Sequence, residues 1–265
     1  AAAEKSMICA GIDGGSRAVK IVLINAETQE VLASGRRDQG VKHDEIAAEL
    51  LDELLHTHGL RREDIRRTIA TGYTRNRIRL ADTTVTEITC HAIGVRRQVP
   101  QAMTIVEIGG QDSKLLRLDP SGSVRDFAMN DRCAAGTGRF LEVVANRLDT
   151  KLEELGELAS HSQCPAAISS TCVVFAESEI IGLLASGVAR EDIVAGVQMA
   201  IAQRITTMAG RDLQEPIVFT GGVAMVPGML EALQIALDRT VMRAPSPQMT
   251  GALGAAILAA RQVKQ

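Results

Sequence analysis

One short pattern occurs twice in the 265-residue chain, about ninety residues apart, and it limits the fold more than any other feature. The first copy is Ile12-Asp13-Gly14-Gly15-Ser16-Arg17-Ala18-Val19-Lys20; the second is Val106-Glu107-Ile108-Gly109-Gly110-Gln111-Asp112-Ser113-Lys114. In each, an apolar strand delivers a carboxylate, a Gly follows two residues later and a Lys seven residues later. Apolar runs then return at Ile21 to Ile24 and Leu115 to Leu118. The pattern predicts two strand–turn–strand hairpins with a carboxylate at each mouth. Glycine lets backbone approach an anion, and turn N–H groups can cradle phosphate oxygens. A pair of ordinary Gly-turn hairpins is the plainer alternative.

The rest of the chain alternates strands and helices. Helical spacing is expected over His43 to Leu55, from near Gly136 through Leu148, from Val174 to Ala185 and from Ile193 to Met208. Ile65 to Ala70 and Ile217 to Phe219 read as buried strands, the first ending in Thr71-Gly72-Tyr73 and the second in Thr220-Gly221-Gly222. Pro100 marks a lobe boundary, giving lobes at residues 1–98 and 99–265. The small-residue helix at Gly251 to Ala256 is suited to close packing and could return to the first lobe.

Composition excludes several classes. A net charge of −3 advertises no polyanion surface, and one Tyr with no Trp gives no stacking platform for single-stranded nucleic acid. No apolar run reaches the roughly 18–20 residues that cross a bilayer. A soluble cytoplasmic protein is expected, with Ala1 to Met7 a processed or added extension. Five cysteines, Cys9, Cys90, Cys133, Cys164 and Cys172, make no disulfide framework. Cys133 and Cys172 each stand just before a predicted helix, where the dipole favours thiolate. Spacing alone leaves open that both are small buried hydrophobes.

Neither a Walker A loop nor a GxGxxG after a strand is present. Two carboxylate hairpins followed by a late Thr-Gly-Gly turn resemble the actin, sugar-kinase and heat-shock-chaperone ATPases. This implies an actin-like (ribonuclease H-like) α/β fold of two βββαβα lobes. By that resemblance Gly14, Gly15, Ser16, Arg17 and Lys20 contact phosphates, as do Gly109, Gly110 and Gln111. Gly221 and Gly222 meet the nucleoside, with Gln248 grouped among the nucleotide contacts. Asp13 and Glu107 bind Mg²⁺ through water or orient the attacking water.

The segments Asn130 to Glu142 and Ser169 to Glu179, with Ala70-Thr71-Gly72-Tyr73 and Thr89-Cys90-His91-Ala92, are similar to ATP-dependent activators of (R)-2-hydroxyacyl-CoA dehydratases. The ATPase subunits of benzoyl-CoA reductase are related. The likeness spans Gly11 to Gly254 and implies that Cys133 and Cys172 bind one [4Fe–4S] cluster shared by two subunits. It further implies a homodimer (or a heterodimer with a paralogous subunit) and ferredoxin or flavodoxin as electron donor. The recipient would be a cluster-containing dehydratase or reductase component, with no nucleic acid or membrane partner. Cys90-His91 reads as packing, and Cys9 and Cys164 as structural. The chain departs from the family in having Glu107 where Asp is usual and Arg17 where Thr is usual. The other class to separate is a sugar-type kinase of the same superfamily, which would need a substrate-facing base such as Asp112 or Asp131. A metal-free actin-like scaffold or chaperone is a third. Iron in anaerobically purified protein discriminates the first reading from the other two.

Overall fold

The computed structural model describes residues 7–131, 133–169, 172–210 and 212–264. Arg132, Ser170 and Thr171, inside the two cysteine segments, and the residues before Met7 lie outside the described residues.

Two compact units are present, one running to Pro100 and resuming at Gln248, the other spanning Gln101–Pro247. The sequence-based division at 98/99 placed residues 248–265 in the second lobe unless the last helix returned; that helix belongs to the first unit.

In the first unit, β1 (Ile8–Gly14), β2 (Ala18–Asn25) and β3 (Val31–Asp38) form an antiparallel meander. Helix α1 (His43–Thr57) leads to β4 (Ile65–Thr71), which pairs parallel to β1, and β5 (Thr83–Thr84) extends the edge. Helix α2 (Glu87–Gln98) follows, its first turn capped by the Thr86 hydroxyl accepting from the Thr89 N–H.

The second unit repeats the scheme. Strands β6 (Thr104–Ile108), β7 (Ser113–Leu118) and β8 (Val124–Asn130) form the meander. Helices α3 (Gly138–Arg147), α4 (Leu155–Ser160), α5 (Val173–Ala185) and α6 (Arg190–Ala209) stand where the first unit has α1 alone. Strand β9 (Ile217–Thr220) is parallel to β6; α7 (Met229–Leu237) and β10 (Val241–Arg243) complete the sheet. The sheet orders β3-β2-β1-β4-β5 and β8-β7-β6-β9-β10 are therefore the same, which is the actin-like α/β topology. No helix among the described residues is long and apolar enough to cross a membrane.

Strand β1 is buried on both faces, so it reads as a continuous apolar run rather than an alternation. Ile8, Ala10 and Ile12 pack with Leu50, Leu51 and Leu54 of α1. Cys9 faces the other way, with Val22, Ile24 and Ile69, beneath α2 and the final helix α8 (Thr250–Val263). Alanines 252, 255, 256, 259 and 260 let α8 lie close. At Gly11 the approach is closest: a Cβ there would stand 2.0 Å from the Ala252 carbonyl oxygen and 2.3 Å from the Ala256 nitrogen. In the second unit one core joins the sheet to α3–α7 through Val106, Ile108, Phe140, Leu141, Val144, Ile201 and Phe219.

Candidate nucleotide and thiol sites

Antiparallel register puts Asp13 opposite Lys20, and Lys20 Nζ donates to Asp13 Oδ2 at 3.1 Å. The parallel neighbour of Asp13 on β4 is Thr71. In the second unit Glu107 stands opposite Lys114, with Thr220 of β9 on its other side. Each carboxylate is thus flanked by a lysine and by the threonine of a Thr-Gly doublet. Gly72 and Gly221, the glycines of those doublets, both have φ +92°. A side chain is strained at that angle, and it would also strike the carboxylate: a Cβ would lie 2.3 Å from Asp13 Oδ1 or 2.7 Å from Glu107 Oε1. Thr71 and Gly72 are site residues that the duplicated hairpin pattern did not reveal. The signal was the shared Thr-Gly ending of two buried strands.

The hairpin turns match as well. Gly15 N–H donates to the Ala18 carbonyl at 3.1 Å, and Gly109 N–H to that of Asp112 at 2.9 Å. The first turn is held from behind by residues without a sequence signal. Gln39 Nε2 donates to the Gly15 carbonyl at 2.9 Å and its backbone N–H to that of Arg17 at 2.8 Å. Thr74 N–H donates to the Gly14 carbonyl at 2.8 Å. With these acceptors engaged, N–H groups are what the Ser16-Arg17 apex offers an anion.

The expected residues divide between the units. Asp13, Gly14, Gly15, Ser16, Arg17, Lys20 and Gln248 fall in the first; Glu107, Gly109, Gly110, Gln111, Gly221 and Gly222 fall in the second. Gly109 and Gly221 both converge on Glu107, since a Cβ at Gly109 would lie 3.3 Å from its Oε1. Gly221 N–H and the Thr220 hydroxyl both donate to the Pro247 carbonyl, at 2.9 and 2.7 Å, fixing the Thr-Gly-Gly turn. Gln248 Oε1 accepts from Arg36 at 3.2 Å. Asp13 has a further neighbour in the start of α8, where a Cβ on Gly251 would lie 3.2 Å from Asp13 Oδ2. That places the positive end of a 14-residue helix beside the carboxylate. His91, read as packing, is buried and shares a 2.9 Å hydrogen bond with the Thr250 hydroxyl at that helix end.

The Thr71 hydroxyl is buried and makes no hydrogen bond of normal geometry among the described residues. The Cys90 thiol, which it approaches, is a weak partner. An orphaned hydroxyl beside Asp13 fits a site that receives a hydrated cation or the oxygens of a phosphate.

The five cysteines separate by environment. Burial pushes the Cys9 thiol up to about 11 and the Cys90 thiol up to about 12, so both stay protonated at neutral pH. Cys164 is exposed, but its backbone N–H donates at 2.9 Å to Asp192, whose carboxylate also accepts from Ser162 and Gln163. Cys133 is half-buried at the start of a short 3₁₀ turn (Ala134–Gly136) that runs into α3; Cys172 is exposed at the N-cap of α5. No group of three or more His, Cys, Asp or Glu side chains converges as a metal centre among the described residues.

The sequence profile described as the BadF/BadG/BcrA/BcrD ATPase family matches residues 10–259. An activator of lactoyl-CoA dehydratase from Anaerotignum propionicum is 45% identical over 258 residues, 96% of this chain and 97% of that one. Among solved structures, the activator of the 2-hydroxyisocaproyl-CoA dehydratase from Clostridium difficile with bound ADPNP superposes with a TM-score of 0.92 at 40% identity. It covers 97% of this chain and 96% of its own. Component A of the Acidaminococcus fermentans (R)-2-hydroxyglutaryl-CoA dehydratase gives 0.93 at 39% identity, covering 98% and 100%.

Proposed function

Because the chain belongs to the BadF/BadG/BcrA/BcrD ATPase family, we propose that it is an ATP-hydrolysing activator. Its role would be to pass a low-potential electron to a cluster-containing 2-hydroxyacyl-CoA dehydratase or benzoyl-CoA reductase-type partner. The observation that supports this most is the separation of the cysteines. Cys133 stands half-buried at the start of the 3₁₀ turn before α3 and Cys172 exposed at the N-cap of α5, while Cys9 and Cys90 are locked in the core. A [4Fe–4S] cluster takes four thiolates. Two per chain fit a cluster shared by two copies, with Cys133 and Cys172 from each. When held, such a cluster supplies a one-electron carrier.

The chain's own residues have these parts in the proposal. The apex of Gly14, Gly15, Ser16 and Arg17 gives N–H donors to phosphate oxygens, as do Gly109, Gly110 and Gln111. Lys20 neutralises phosphate charge. Asp13, with Thr71 beside it, holds Mg²⁺ through water or orients the attacking water; Glu107 does so from the second unit. Gly221 and Gly222 admit the nucleoside because they present no side chain, and Gln248 adds a nucleotide contact. Ferredoxin or flavodoxin supplies the electron.

Iron and sulfide analysis of anaerobically purified protein tests this. The expected content is about four irons per two chains, lost in Cys133→Ala and in Cys172→Ala but retained in Cys164→Ala. Asp13→Asn should lower ATP hydrolysis by about 10²-fold or more. An iron-free wild-type protein after oxygen-free reconstitution, or one that transfers phosphate to a sugar, overturns the reading.

A further inference from the structure

We infer that, of the two cluster thiols, Cys133 is the one that bonds among the described residues tie to the second phosphate turn, and that Asn130 and Thr137 are the positioning residues that carry nucleotide state to it. This rests on the function proposed above. The segment from Asn130 to Gly138 leaves the turn Gly109–Asp112 and comes back to it. At its start, Asn130 is registered against Ser113, the residue that follows the turn. At its end, Gly138 N–H donates to the Gly109 carbonyl and Arg139 N–H to the Gly110 carbonyl, both at 2.9 Å. A displacement of the turn therefore pulls both ends of the Cys133 segment.

Among its described residues, hydrogen bonds close on both sides of Cys133. Asn130 Nδ2 donates to the Cys133 carbonyl at 2.8 Å, and Cys133 N–H donates back to Asn130 Oδ1 at 3.1 Å. The side-chain amide thus clamps the cysteine backbone on both its donor and its acceptor. Thr137 closes the other half: its N–H and hydroxyl donate to the Ala134 carbonyl at 3.1 and 2.7 Å. Its Oγ1 also accepts from the Arg139 N–H at 3.3 Å, joining the 3₁₀ turn to α3. Rigid hydrogen-bonded elements with both ends on a moving part transmit motion.

Cys172 is held differently. The bonds described on its approach run to α5 and α6: Ser169 N–H and Oγ donate to Glu179 at 2.9 and 2.7 Å, the Ala166 N–H donates to the Asp192 carbonyl at 2.8 Å, and the Cys172 carbonyl accepts from the Ala176 N–H at 2.9 Å. The two ligands of one chain then respond unequally to nucleotide. One thiol is the moving jaw and the other the fixed one.

Hydrogen exchange on the iron-loaded full chain, with ADP or with the non-hydrolysable analogue ADPNP, tests this. Between the two nucleotides, exchange in residues 131–139 should change by about fivefold or more, and in residues 162–172 by less than about twofold. In Asn130→Ala the response of 131–139 should fall below about twofold while ADPNP affinity stays within about twofold of wild type. Asn130→Asp, which keeps the acceptor for the Cys133 N–H, should retain part of the response, and Ser169→Ala should leave it intact. Equal responses in the two segments, no response in either, or a full response in Asn130→Ala overturns the inference. Should Asn130→Ala lose ADPNP binding, the wild-type comparison of the two segments decides alone. Iron content of the same samples tests the proposed function separately: an iron-free wild type defeats that reading, and the exchange difference still decides the coupling.

Discussion

The mouths of the two hairpins share a register but hold their lysines differently. Lys20 has a single described carboxylate partner, Asp13, and its side chain keeps 19% exposure. Lys114 is 2% exposed and lies between Glu107 at 3.0 Å and Asp112 at 2.6 Å. The threonines diverge in the same sense, since Thr220 is bound to the Pro247 carbonyl while the Thr71 hydroxyl has only the weak Cys90 thiol beside it. The first mouth thus retains unspent polar capacity, whereas the second has spent it on its own structure. Equal spacing in sequence has produced two mouths that hold their lysine and threonine differently.

Exchanging each lysine for methionine is the sharpest way to break this comparison. Lys114→Met leaves Glu107 and Asp112 facing each other with no cation between them. Removing one partner of a buried pair costs about 3–5 kcal/mol, so the denaturant midpoint should fall sharply. Lys20→Met should leave the midpoint nearly unchanged and weaken ATP binding instead, as seen by titration calorimetry. Similar losses of stability in both variants would erase the distinction.

The next difference lies one turn down the same strands. Cross-strand register makes Gly11 of β1 the counterpart of Ile105 in β6, and both are buried. The first sheet needs glycine because the α8 backbone rests on it; the second carries a full isoleucine at that point. Gly11→Ala should destabilise the fold by about 1–3 kcal/mol through overpacking. Thermal unfolding would measure it, and an unchanged midpoint would mean that α8 does not lie against β1 as closely as described.

Why some of this was readable in the sequence and some was not has a physical cause. An acid and a lysine seven residues apart around a four-residue turn must face each other across an antiparallel pair, so Asp13–Lys20 and Glu107–Lys114 followed from spacing. The Thr-Gly doublets belong to the same repeat. They are masked because four helices separate β8 from β9 where one separates β3 from β4. The small residues of α8 announced close packing but not against which sheet, since Gly11 sits in a run that reads as ordinary core. The unequal partners of Lys20 and Lys114, and the Asn130 clamp on Cys133, are side-chain hydrogen bonds that leave no periodic trace. The cysteines could be singled out by position before a helix, yet only burial separates Cys133 and Cys172 from Cys9 and Cys90.

The smallest expected effect concerns the two threonines and is the most specific. Valine matches threonine in shape and lacks the hydroxyl. At Thr220 the change removes a 2.7 Å bond to the Pro247 carbonyl, so a loss of about 1 kcal/mol is expected. At Thr71 the hydroxyl has no partner of normal geometry to lose, and replacing it with a methyl group should leave stability unchanged or slightly raised. The function assigned to Thr71 then predicts the reverse order for catalysis: Thr71→Val should reduce ATP turnover several-fold with an intact melting midpoint. A Thr71→Val protein that hydrolyses ATP at the wild-type rate would show that its hydroxyl faces no ligand. The asymmetry between the two mouths would then reduce to a difference in packing.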